Sequence, residues 1–177
     1  MYRTMYKWGF TFLEIIIALT ILSVALLGFS QIFSTALNAS YRAAQESIAT
    51  NLGRGLMAEI MSKNFVEDPT MNPPPALGPD GTESRFGGSG NAFDDVDDYH
   101  GYSESPPISV GGLPMDGTAG TPDYSKFSRS VSVKYVDFLA DGTYNDNPSG
   151  NTNYKKVTVT VNSPYARNII IEEVKAK

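Results

Sequence analysis

GFTFLEIIIALTILSVALLGF, residues 9 to 29, is the stretch whose reading decides the fold. From Phe10 to Phe29 the chain is almost wholly apolar, broken by Thr11, Glu14, Thr20 and Ser23. At about 1.5 Å per residue, a helix of that length spans about 30 Å, the thickness of a bilayer core. Arg3 and Lys7 precede it and no acidic residue does, which predicts a cytoplasmic N-terminus. A conventional signal peptide has a shorter apolar core followed by a small-residue cleavage site. Neither feature fits a run that continues straight into more helical sequence.

From Ser30 to about Phe65 the pattern becomes amphipathic. Phe33, Leu37, Tyr41, Ala44, Ile48, Leu52, Leu56 and Ile60 recur at steps of three or four, the spacing of one helical stripe. No proline occurs between Phe10 and Glu67, so the reading is one continuous helix over residues 10 to 65. Gly53 and Gly55 are weak points in it, each costing about 1 kcal/mol relative to Ala. Asp68-Pro69 is the expected stop, because the residue before proline is pushed out of the helical region.

Residues 66 to 123 are rich in Pro, Gly, Asp, Ser and Asn, the chemistry of turns and loops. Phe86, Phe93, Val96, Tyr99 and Tyr102 are the side chains expected to pin this segment down. Beyond it, Phe127, Arg129, Val131, Val133 and Tyr135 alternate with polar residues, as do Val157, Val159 and Val161. A period of two marks half-buried strands. Arg129 interrupts the first apolar face and is expected at its edge. A third strand is expected over residues 168 to 175. Asp141-Gly142, Asn147-Pro148 and Ser149-Gly150 mark the first turn, and Ser163-Pro164 the second. The fold class is therefore α+β: a long helix whose second half covers one face of a three- or four-stranded antiparallel meander. The domains are residues 1–9 as a leader, 10–29 as a transmembrane helix, 30–65 as its amphipathic continuation, and 66–177 as a loop-rich sheet domain.

The 177 residues suffice for one ordinary domain plus a long appendage. With no cysteine there is no disulfide framework and no thiol chemistry. A net charge of -5, with acids mostly after residue 65, excludes a basic nucleic-acid footprint.

Gly9-Phe10-Thr11-Phe12-Leu13-Glu14 resembles the prepilin cleavage and methylation site of type IV pilins and of type II secretion pseudopilins. The resemblance implies that a membrane-embedded prepilin peptidase cuts after Gly9 and methylates the new N-terminal Phe10. It implies an assembly role for Glu14, which matches the glutamate at the fifth mature position. The implied partners are other pilin subunits, the peptidase/methyltransferase, an inner-membrane assembly platform and the lipid bilayer. The implied location is the inner membrane, single-pass with the C-terminal domain periplasmic, and then a pilus or pseudopilus. Elementary energetics agree on Glu14: a carboxylate inside a membrane span costs roughly 2.5–3.5 kcal/mol and is normally functional. It lies four residues after Phe10, where one helix face brings it back to the new amine. The chain departs from the major-pilin pattern at Gln31, where many such helices have proline, and in lacking a C-terminal disulfide. Both departures favour a minor pilin or pseudopilin. FDDVDDYHGY, residues 93 to 102, is similar to a segment of minor pilins of the mannose-sensitive-haemagglutinin pilus type (MshD-like).

Asp94, Asp95, Asp97 and Asp98 concentrate hard oxygen ligands of the kind calcium prefers, although not at EF-hand spacing. The competing expectation is a solvated turn using aspartates as caps, or the start of a short helix. Asp141 and Asp146 form a looser oxygen-rich loop. His100, the single histidine, is expected on the surface or in a turn. With no cysteine and no second histidine, zinc chemistry and a nucleophilic triad both lack residues, so an enzyme is not expected. Two rival readings remain beside the minor pilin: a secretion pseudopilin, and an adhesive or calcium-binding module at a filament tip.

Overall fold

Helix α1 runs from Phe12 to Met61 in the computed structural model. The described residues are 9–66, 76–88, 90–140, 142–146, 152–165 and 167–177. Leader residues 1–8, the Asp68-Pro69 stop, Asp141 and the turn pairs Asn147-Pro148 and Ser149-Gly150 lie outside them. The chain divides into two units, Met1–Arg42 and Ala43–Lys177.

In the first unit every described side chain is exposed, from Gly9 to Arg42. The helix is long and apolar enough to cross a membrane. Several of its hydroxyls bond to carbonyls within the helix itself. Thr20 donates to the Ile17 carbonyl at 2.8 Å, Ser23 to Leu19 at 2.7 Å and Ser30 to Leu26 at 2.9 Å. Such back-bonding removes the need for water, which suits a helix in apolar surroundings.

The second unit packs the last turns of α1 on an antiparallel sheet. Strands β2 (Ser128–Phe138), β4 (Tyr154–Asn162) and β5 (Ile169–Ala176) form the meander. The two-residue strand β1 (Ser103–Glu104) extends it beyond β2, giving the order β1-β2-β4-β5. A short β3 (Tyr144–Asn145) also pairs with the end of β2. The register sets Val131 opposite Val159 and Val133 opposite Val157, and β5 adds Ile171 beside Val159. These side chains form one core with Ala49, Leu52, Leu56, Met57 and Ile60 of α1. Each buried valine or leucine contributes about 1.5–3 kcal/mol, and the alternation read from the sequence supplies them.

Three expectations are corrected here. The apolar stripe of α1 is buried only toward its end: Leu52, Leu56 and Ile60 are enclosed and Ile48 partly so, whereas Phe33, Leu37 and Tyr41 remain exposed. Helical periodicity continues past the point where the sheet offers cover. The helix also stops at Met61 rather than near residue 65, because its end is capped before the proline is reached. Lys175 of β5 donates its ammonium to the carbonyls of Met61, at 3.0 Å, and of Lys63. Lys155 of β4 does the same for Phe65, satisfying acceptors that a helix end leaves open. Finally, Gly53 is not a weak point but a contact. A Cβ there would stand 2.7 Å from Ile171 Cδ1 and 3.0 Å from Val161 Cγ2, so its bare backbone lets helix and sheet approach.

At Gly55 a Cβ would meet nothing within 4 Å, and the backbone is ordinary helix. Gly55→Ala should therefore raise stability by about 0.4–1 kcal/mol by restricting the unfolded chain. Gly53→Leu should lower it by about 1–3 kcal/mol through overpacking. Thermal unfolding of the two variants in detergent checks the contrast; equal effects would mean that Gly53 is not a packing position.

Candidate functional site

At the N-terminal end, Gly9 and Phe10 precede the helix and are exposed, Phe10 by 78 %. The peptide bond between them thus lies outside the hydrogen-bonded helix. Thr11 is the cap: its Oγ1 accepts the Glu14 N–H at 3.3 Å, and its carbonyl accepts the Ile15 N–H at 3.2 Å. Thr11-Phe12-Leu13-Glu14 is the sequence of a capping box, a signal present in the residues but absent from the expectation. Glu14 therefore sits in the first turn, where a carboxylate is favoured by the helix dipole.

The aspartate segment is not the solvated turn that was expected. Asp95, Asp97 and Asp98 are buried, and only Asp94 is exposed. The capping part of the expectation holds. Asp98 Oδ2 accepts the N–H groups of Asp94, at 3.0 Å, and Asp95, at 3.2 Å. Asp95 Oδ1 accepts those of Asp97, at 3.0 Å, and Asp98, at 3.3 Å. These reciprocal bonds wind the 3-10 turn Asp97–Tyr99. Burial drives the segment inward because its neighbours Phe93, Val96 and Tyr99 belong to the core. Desolvation, then proton sharing with Asp97, pushes the Asp95 carboxyl up to about 7. The four aspartates do not converge on one point. Among the described residues the acids whose oxygens come within 4.8 Å of one another are Glu83, Asp94 and Asp98. Asp97 instead pairs with Lys155. Asp146, from the looser acidic loop, pairs with Lys156 at 2.8 Å. His100 is half-buried in the turn, and its Nδ1 accepts the Val133 N–H at 3.1 Å, tying the turn to β2.

A chain of buried charge joins this segment to α1 and the sheet. Arg85 forms a two-pronged pair with Glu59 of α1, at 2.8 Å through Nε and 2.6 Å through Nη2. Its Nη1 reaches Glu104 of β1 at 2.8 Å, and Glu104 also pairs with Arg129 of β2. Tyr99 donates to Glu59 at 2.9 Å and Tyr102 to Glu104 at 2.6 Å, so both carboxylates are fully engaged. Arg129 is thus buried rather than at an edge, and it further donates to the carbonyls of Leu52 and Ile108. Phe86, expected as an anchor, is exposed, and its neighbour Arg85 takes the inward position. Burial raises the Glu59 carboxyl, but the hydrogen bond and charge of Arg85 outweigh it and hold the group below its ordinary value. Burial, followed by the Glu104 carboxylate, pushes the Tyr102 phenol up to about 12.

The sequence carries two signals for this network that the expectation missed. An arginine in the inward register of a strand requires a buried acid. Arg85 is also the single arginine or lysine between Asn64 and Ser125. No family model matches the chain, and no curated protein and no solved structure is significantly similar to it.

Arg85→Met should cost about 3–5 kcal/mol, because it leaves the buried Glu104 and the half-buried Glu59 without their shared partner. Arg85→Lys should recover part of that, since an ammonium cannot make the two-pronged contact. The sign with pH follows from Glu59: its depressed carboxyl contributes stability above the unfolded value of 4.5, lost as pH falls through its folded value. In Arg85→Met the burial of Glu59 is no longer outweighed by Arg85, so that acid loss should shrink or reverse. Melting temperature against pH measures both effects, and superimposable curves for wild type and variant would refute them.

Proposed function

We propose that this chain is a type IV pilin-like subunit of the minor-pilin class. It is cleaved between Gly9 and Phe10, methylated at Phe10, held in the inner membrane by α1, and then drawn into a filament. The observation that carries the reading is the first unit of α1. An almost wholly apolar stretch, exposed along its whole length, follows directly on an accessible Gly9–Phe10 bond and contains one acid, Glu14. Such a surface is stable only against lipid or against other apolar helices. The role is structural: α1 anchors the subunit and later packs among the helices of its neighbours, while the sheet domain stays outside the bilayer.

Glu14 serves this role through charge. Cleavage leaves a free amine on Phe10, and in an apolar filament core an amine without a counter-charge is strongly unfavourable. The carboxylate supplies the counter-charge, either to its own amine or to that of the adjacent subunit, and so sets axial position. The peptidase and an inner-membrane assembly platform are the further partners of this cycle. A secretion pseudopilin would use the same processing and the same helix, and the two differ in the machine that receives the subunit.

Two measurements test the reading. Gly9→Val should block processing, so that the full-length chain accumulates in membranes. Mass spectrometry of wild-type protein should find N-methyl-phenylalanine at Phe10, and an intact Met1 would refute the assignment. Glu14→Val should leave cleavage intact while lowering the ratio of processed protein in sheared filaments to that in membranes. An unchanged ratio would mean that the carboxylate is not the docking contact.

A further inference from the structure

The core of the second unit contains a lysine that is completely buried. Lys155 has 0 % exposure, and Asp95 and Asp97 have 2 % each. Lys155 Nζ touches Asp97 Oδ1 and lies under two rings, 4.5 Å from the Phe65 centroid and 5.3 Å from that of Tyr135. A simple ion pair would need one acid for this base. Here a second carboxyl, Asp95, is hydrogen-bonded to the first. The Tyr135 hydroxyl is also buried, with no hydrogen-bond partner among the described residues. An amine, two acids and an idle hydroxyl inside an aromatic enclosure exceed what charge neutralisation requires.

We propose that Lys155 and Asp97 join in an intramolecular isopeptide bond, closed with the help of the Asp95 carboxyl, tying β4 covalently to the 3-10 turn. In the reaction the Nζ of Lys155 passes a proton to the Asp97 carboxylate oxygen that it touches. The freed Nζ pair attacks Asp97 Cγ, whose contact position supplies the proximity that such a condensation needs. Asp95 donates its proton to the departing hydroxyl of Asp97 and recovers one from the nitrogen. The C–N bond forms, one Asp97 C–O bond breaks, and one water leaves. Protons balance and Asp95 ends as it began. The bond spans 58 positions of sequence, a long loop closed in a chain that has no cysteine to close one.

The test is the intact mass of purified full-length protein, compared with the mass calculated for whatever N-terminus it carries. The bonded protein is lighter by one water, and a tryptic map contains a branched peptide joining Lys155 to the segment with Asp97. Lys155→Arg should show the full mass. Asp95→Asn should also show it while remaining folded by circular dichroism, since the amide keeps the Oδ1 acceptor that winds the turn. Folded wild-type protein at its full calculated mass would overturn the proposal, as would loss of water that persists in Lys155→Arg. Neither result depends on whether Gly9 is the cleavage residue.

Discussion

The segment between α1 and β2 is tied to both the helix and the sheet by the guanidinium of Arg85. That group lies between Glu59 of the helix and Glu104 of the first strand, and Glu104 passes the connection to Arg129 of the second. Burial of four charges is unfavourable taken singly, and the arrangement survives because signs alternate and the remaining oxygens accept tyrosine hydroxyls. Remove the central cation and the loop, the helix end and the sheet edge lose their common fixed point. The aromatic trio Phe93, Tyr99 and Tyr102, with edge-on ring contacts at 4.9 to 6.2 Å, packs beside this chain of charge.

The sheet was legible in the sequence because its signal is local. Val131, Val133, Val157, Val159 and Val161 alternate strictly, and each is buried as its period requires. The helix was legible in extent but not in coverage. Periodicity alone says which residues share a stripe, and it cannot say how far along that stripe a sheet will reach. The long loop was the least legible part, because its order depends on pairs far apart in sequence: Arg85 with Glu59, and Asp97 with Lys155. Aspartates in a run read as surface by composition, yet three of the four turn inward, where two of them cap the segment's own backbone.

Glu14 shows how one residue serves two levels of organisation. Locally it closes the first turn of α1 with Thr11, an arrangement that needs no partner. At the level of assembly it is the one acidic or basic residue between Phe10 and Tyr41. Its place in the first turn, where the helix dipole favours a carboxylate, explains why an acid is tolerated at the start of an apolar helix, and the proposed amine contact explains why it would be useful there.

The end of α1 and the residues just after it are gripped by lysine side chains from three directions. Lys175 comes from β5, Lys155 from β4, and Lys63 reaches across to the Phe93 carbonyl at 2.6 Å. In the proposed assembly cycle, drawing the chain out of a bilayer by its helix puts tension along α1, and the sheet must follow without being peeled away. Because the last carbonyls of the helix and the residues just after it are held by two different strands and by the loop, that tension divides among several attachments at once. Pulling on the helix therefore loads the sheet across its width, and no single strand bears the force that would strip it away.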